Sequence, residues 1–219
     1  MITYEQLRQN ADINTYITRA DESLSALGFT EHSFPHVCRV AEIAGETLRI
    51  LGYDDHQIEL TRIAAYLHDI GNLVNRVDHS QSGAVMAFRI LDHMDMDAAD
   101  IATIVTAIGN YDEGTGVPVN AVAAALILAD KSDVRRNRVR TRDIATFDIH
   151  DRVNYSVEHS ALRILPQEKV ARLEMTVDTQ FSSVMDFFEI FMKRMLLCRR
   201  AAERLGLTFQ LTINGQQLI

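Results

Sequence analysis

Ala64-Ala65-Tyr66-Leu67-His68-Asp69-Ile70-Gly71-Asn72 carries an apolar helical run into an adjacent imidazole and carboxylate, with a glycine two residues on. Leu60, Ile63, Ala64 and Leu67 recur at helical spacing, and His68 ends their stripe. Asp54 or Asp55 is the expected start of this helix. A carboxylate among apolar neighbours is strongly disfavoured unless it is paired or bound to a metal. The His68-Asp69 pair therefore predicts further ligand-type side chains on apolar faces elsewhere in the chain.

Upstream, Ser33 is the expected cap of a helix with Pro35 in its first turn, where proline is tolerated. Its stripe runs Val37, Val40, Ala41, Ala44, Leu48 and Leu51 to Gly52, with His36 at its N-terminal end. Residues 4–27 predict one or two further helices. Downstream, helices are expected over 81–91 and 97–108. A glycine-bearing break at 109–118 follows, and then a helix over 119–134 with Asp130 beside Ala129. Past about residue 145 the period changes. Ala171, Leu173, Met175 and Val177 alternate with polar residues, as do Leu207, Phe209, Leu211 and Ile213. Pro166-Gln167-Glu168-Lys169 suits a turn from a strand near 159–165, and Asn214-Gly215 suits another. Residues 181–205 between them predict a long apolar helix. The expected fold is mainly α. An all-α helical bundle over 1–145 carries a small α+β module over 146–219, an antiparallel sheet with one long helix.

The chain has 219 residues, 47% of them apolar and 24% charged, the mix of an ordinary globular protein. Cys38 and Cys198 form no Cys-x-x-Cys pair, which argues against a disulfide framework or a cysteine zinc site. With no signal-like N-terminus, the expected location is the cytoplasm. The longest apolar run, Ala121 to Ala129, falls far short of the roughly 20 residues that span a bilayer. A net charge of −8 disfavours a nucleic-acid polymer as partner. A small anion held by a few local cations remains compatible with it. The surplus of Phe and Met over 181–205 fits either core or a homodimer interface.

Three helices thus deliver His36, then His68 with Asp69, then Asp130. Two imidazoles and two carboxylates suit one divalent transition metal, Mn²⁺, Fe²⁺, Co²⁺, Ni²⁺ or Zn²⁺, better than Ca²⁺. His32, His56, His93, His150 and His159 stand outside this ordered set and read as ordinary histidines. Asp112 and Glu113 read as an exposed acidic loop, with an outer base beside the site as the alternative. Lys131, Arg135, Arg136, Arg138, Arg140 and Arg142 crowd one segment, as an anion-attracting rim or as a solvated, salt-bridged helix end.

The order His36 … His68-Asp69 … Asp130 resembles the HD-domain metal-dependent phosphohydrolases, all-α proteins named for the adjacent pair. The resemblance covers roughly residues 30–140. It includes His36-x-x-Arg39-Val40-Ala41, His68-Asp69-Ile70-Gly71, Asp78-His79-Ser80-x-x-Gly83-Ala84 and Leu128-Ala129-Asp130-Lys131. It implies metal binding by His36, His68, Asp69 and Asp130, with Asp69 also orienting the attacking water. It implies a role for His79 toward a second metal or the substrate phosphate, and for Lys131 toward the phosphoryl oxygens. Arg39, Asn72 and Arg135 are expected to bind substrate. Gly114-Thr115-Gly116-Val117-Pro118 is similar to the Gly-x-Gly-Tyr-Pro signature of cyclic-di-GMP phosphodiesterases, with Val117 in the tyrosine place. The preceding paired histidines are absent, and Tyr111 is a poor substitute ligand. These departures disfavour a second metal and cyclic-di-GMP hydrolysis. The implied activity is hydrolysis of a phosphate ester in a nucleotide or other small metabolite. The alternatives are a non-catalytic sensor or scaffold on the same fold, and a cyclic-nucleotide or alarmone hydrolase.

Overall fold

The computed structural model describes residues 2–141 and 143–219; the expectation for Arg142 lies outside the described residues. Helices α1 (Tyr4–Arg8) and α2 (Ala11–Ala26) lead into α3 (Phe34–Ile50), α4 (Asp55–Leu67), α5 (His79–His93), α6 (Ala98–Gly109) and α7 (Ala121–Ser132). The sequence period missed α8 (Ile149–Ser156), which is short and capped by Asp148. Strands β1 (Val157–Leu165) and β2 (Val170–Val177) form a hairpin, and α9 (Val184–Arg204) leads to β3 (Thr208–Ile213) and β4 (Gln216–Gln217).

The helix starts follow local chemistry. Asp54 accepts from the Gln57 N–H and Asn120 from the Ala123 N–H, each satisfying an orphan donor of a first turn. Ser33 occupies the N-cap of α3 without capping it; its hydroxyl and its N–H both donate to Glu31. Helix α7 is buried along nearly its whole length, so it is apolar on every side and serves as the hub. Helices α3, α4, α6 and α9 all pack on it.

One correction concerns the sheet. Its order is β1-β2-β3-β4, but β2 and β3 run parallel rather than antiparallel. The reason is α9, which carries the chain back across between them, as parallel neighbours require. Nor does the hydrophobic core break near residue 145. Leu197, Cys198 and Ala201 of α9 and Leu173 of β2 join the same cluster as Val40, Leu67 and Leu126. Met185, Met192 and Leu196 of α9 remain exposed. Both cysteines are free. Among the described residues, no helix is long and apolar enough to cross a membrane.

Candidate metal centre

His68 terminates α4. Its Nδ1 lies 2.6 Å from the Ala65 carbonyl, one of the acceptors that a helix end leaves free. A carbonyl only accepts, so Nδ1 carries the proton and Nε2 faces away with its lone pair. His36, in the first turn of α3, is fixed in the same sense, with Nδ1 2.8 Å from Asp133 Oδ2. The two Nε2 atoms converge on two carboxylates. His36 Nε2 is 3.4 Å from Asp69 Oδ2 and 3.3 Å from Asp130 Oδ1. His68 Nε2 is 3.2 Å and 3.7 Å from the same atoms.

All four side chains are buried, yet His36 Nε2, His68 Nε2 and Asp69 Oδ2 make no hydrogen bond. Buried polar atoms are normally satisfied, so electron-pair donors converging unpaired call for a cation between them. His36, His68 and Asp130 have ligand atoms within 4.8 Å of one another and can hold a metal ion; Asp69 Oδ2 sits beside both imidazoles. The protonation balance says the same. Burial works to lower the His68 pKa, but Asp69 and Asp130 together outweigh it and push His68 up to about 10. Burial likewise opposes ionisation of Asp69 and Asp130, but His68 beside one and Lys131 beside the other hold both well below the usual carboxylate range. Two ionised carboxylates facing two imidazoles attract positive charge, as protons or as a metal. The absence of directed hydrogen bonds favours the metal.

The surroundings of the four residues depend on contacts remote in sequence. Asp69 Oδ1 accepts from Asn72 Nδ2 at 3.0 Å and from the Tyr111 hydroxyl at 2.8 Å, so the carboxylate is oriented and its other oxygen left for the centre. Tyr111, read from the sequence as a poor ligand, is thus an outer partner of Asp69, packed edge-on to the His68 ring. Asp133 is fully buried and receives His36 together with three guanidiniums. Arg39 Nε lies at 3.0 Å, Arg135 Nη2 at 3.0 Å and Arg138 Nη1 at 3.6 Å. Nothing in the sequence singled out Asp133. Two carboxylates at the C-terminal end of α7, where the helix dipole disfavours negative charge, need such compensation.

Arg39, Asn72 and Arg135, expected to bind substrate, have partners within the protein. Both arginines are committed to Asp133 and Asn72 to Asp69, and none of them lines the adjoining cavity. Of the other expected cations, Arg136 bonds the Tyr155 carbonyl, and Arg140 pairs with Asp21. The salt-bridged reading therefore holds for most of that segment.

The cavity over the centre measures about 430 Å³. Asp69, His79, Asp130 and Lys131 line it. His32 and His150, set aside from the sequence, line it too, as does Arg76, which the sequence did not single out. His79 holds its Nδ1 against the Arg76 carbonyl at 2.9 Å and its Nε2 3.7 Å from Asp69 Oδ1. Lys131 Nζ is 2.7 Å from Asp130 Oδ2 and 3.4 Å from Glu113 Oε1. Arg194 of α9 donates from Nε to that same Glu113 oxygen at 2.8 Å. Burial tends to raise the Glu113 pKa, but Arg194 and then Lys131 bring it down to about 2. Glu113 is therefore a half-buried link between α7 and α9 rather than part of an exposed acidic loop. A hydropathy reading of α9 as core could not show that Arg194 reaches this site.

Gly71 explains the tight approach of α5. A Cβ there would meet the His79 carbonyl oxygen at 2.0 Å and the Gly83 nitrogen at 2.4 Å. Only glycine allows the turn after His68-Asp69 to lie against the helix that carries His79.

With this geometry in place, the comparisons with known proteins decide the family. The HD domain model matches residues 34–153, more than half of the chain. The chain belongs to the HD-domain family. It is 26% identical to an uncharacterized protein of Methanocaldococcus jannaschii, over 81% of this chain and 76% of that one. It is also similar to the crystal structure of a predicted HD superfamily hydrolase from an uncultured Thermotogales bacterium at 1.45 Å resolution. That similarity has a TM-score of 0.45 and 25% identity, and it covers 62% of this chain and 75% of that one. In this HD protein, Arg194 lies beyond the matched span and nonetheless borders the cavity.

Proposed function

We propose that this HD protein is a metal-dependent phosphohydrolase that cleaves a phosphate ester of a nucleotide or other small phosphorylated metabolite. One observation carries the reading: His36 Nε2, His68 Nε2 and Asp69 Oδ2 converge, buried and without hydrogen bonds, at one end of a cavity that cations also line. His36, His68, Asp69 and Asp130 are the proposed ligands of one divalent transition metal, Mn²⁺, Fe²⁺, Co²⁺, Ni²⁺ or Zn²⁺. Such an ion supplies Lewis acidity and brings the pKa of water down toward 7.

The chain's own groups do the rest. Asp69, clamped by Tyr111 and Asn72, orients the attacking water with a carboxylate that cannot rotate freely. Lys131 faces the cavity between Asp130 and Glu113, and it offsets the charge that develops on the phosphoryl oxygens. His79 presents Nε2 beside Asp69 as a further polar contact for the phosphate. A cavity of about 430 Å³ supports a small substrate over a polymer.

The test is metal analysis of protein purified without chelator, followed by a panel of phosphate monoesters and diesters that includes cyclic nucleotides. Asp69→Ala should lose both bound metal and turnover. A wild-type protein replete in metal but silent on the whole panel would overturn the enzyme reading in favour of a sensor. A fully active Asp69→Ala would overturn the site.

A further inference from the structure

Four cations line the cavity: Arg76, Lys131, Arg138 and Arg194. Three are already committed to anionic or carbonyl partners. Lys131 pairs with Asp130 and Glu113, and Arg194 with Glu113. Arg138 donates from Nε to the Glu31 carbonyl at 2.9 Å and from Nη1 to the Asp133 carbonyl at 2.7 Å. Arg76 differs. Among the described residues it has no carboxylate within ion-pair distance. Its only side-chain hydrogen bonds among the described residues are two long ones from Nη1 to neutral acceptors, Asn72 Oδ1 at 3.3 Å and His79 Nε2 at 3.4 Å. Nε and Nη2 have no hydrogen-bond or ion-pair partner among the described residues, and neither is a buried atom left unsatisfied.

Those two contacts also fix where Arg76 stands. Asn72 donates to Asp69 Oδ1 at 3.0 Å, and His79 Nε2 lies 3.7 Å from the same oxygen. Arg76 is therefore one side chain removed from the metal-type centre. Its guanidinium lies 5.4 Å from the centre of the Phe29 ring, which gives the head group a wall. A guanidinium with Nε and Nη2 free matches two oxygens of a phosphoryl group side by side.

We infer that Arg76 is the phosphate-binding residue of this cavity, and that the group it takes is the terminal phosphate of a monoester rather than the bridging phosphate of a diester. The inference rests on the phosphohydrolase reading above. The choice of monoester follows from counting oxygens. A fork that engages two terminal oxygens leaves a monoester one more for the centre between His36, His68 and Asp130. A diester, with two terminal oxygens in all, has none left.

Binding of inorganic phosphate to protein purified without chelator, measured by calorimetry, tests the first half without any turnover. Arg76→Ala should weaken phosphate binding at least tenfold while bound metal stays at the wild-type level. Arg76→Lys should recover part of the loss, because it restores the charge but not the fork. Arg199→Ala, which removes an exposed arginine elsewhere, should change it less than twofold. Phosphate affinity within twofold of wild type in metal-replete Arg76→Ala, or no phosphate binding by the wild type, overturns the assignment. For the second half, p-nitrophenyl phosphate should be hydrolysed more than tenfold faster than bis(p-nitrophenyl) phosphate. Arg76→Ala should lose most of that ratio; equal rates or a diester preference in the wild type overturns the monoester choice. A protein that binds phosphate through Arg76 but hydrolyses neither ester overturns the phosphohydrolase reading, and the monoester choice with it, and leaves Arg76 as an anion receptor.

Discussion

The floor of the cavity and its rim hold charged groups in different ways. On the floor, His36, His68, Asp69 and Asp130 project from α3, α4 and α7, helices whose other faces form the core, and all four are buried. Asp133 anchors His36 from behind, with three guanidiniums around it. On the rim, Arg76 and Glu113 sit in loops and Arg194 on α9, each partly open to solvent. Floor side chains cannot shift without disturbing close-packed helices, so their geometry is preset. Rim side chains can change with little effect on the core, which is where selectivity for one small molecule over another can be set without altering the floor.

Asp133→Asn attacks the floor from behind. It weakens the acceptor for His36 Nδ1 and leaves Arg39, Arg135 and Arg138 without a countercharge. Burial opposes ionisation of Asp133, but its hydrogen bonds from His36 and Arg135 hold it well below the usual range, so the charge is present in the wild type. Metal affinity should fall about 10- to 100-fold, and stability by about 3 kcal/mol, read by competitive metal titration and urea unfolding. Unchanged metal affinity would mean that the floor does not depend on this anchor.

Gly71→Ala strains the joint between floor and rim, because the added methyl meets the backbone of His79 and Gly83. An overpacked backbone contact of this kind should cost about 1–3 kcal/mol in urea unfolding. A neutral result would show that the turn and α5 can separate without loss.

Arg194→Ala tests the rim by itself and should have the smallest effect. Glu113, held at about 2 against an ordinary 4.5, stabilises the fold fully above pH 4.5, and that contribution fades as pH falls toward 2. Without Arg194 the carboxyl should move back toward its ordinary value. The loss should be roughly 1 kcal/mol near neutral pH, since Glu113 keeps some contact with water. It should vanish in the acid limb, and metal content should stay unchanged. Loss of metal in this variant would erase the distinction between floor and rim.

Much of the floor was legible in the chain itself. Helical period, the capping residue Asp54 and the glycine after His68-Asp69 are local signals, and each acts within a few residues. They located α3, α4 and α7 and the ligand-type residues they carry, and the change of period near residue 145 announced the small sheet. What the sequence could not reveal was partnership. His36 meets Asp133 across 97 positions, and Arg194 meets Glu113 across 81. No periodicity encodes such pairs, because they arise only once α3, α7 and α9 pack. The same packing turned Arg39 and Arg135 toward Asp133, moved His32 and His150 onto the cavity wall, and made β2 and β3 parallel through α9. It also left Arg76 beside the cavity with its Nε and Nη2 unpaired among the described residues. By itself, then, the sequence determined which residue types stand on which helices, since period and caps act over one or two turns. Only the tertiary structure decided which charges neutralise one another and which stay free, since electrostatic partnership depends on distance in space.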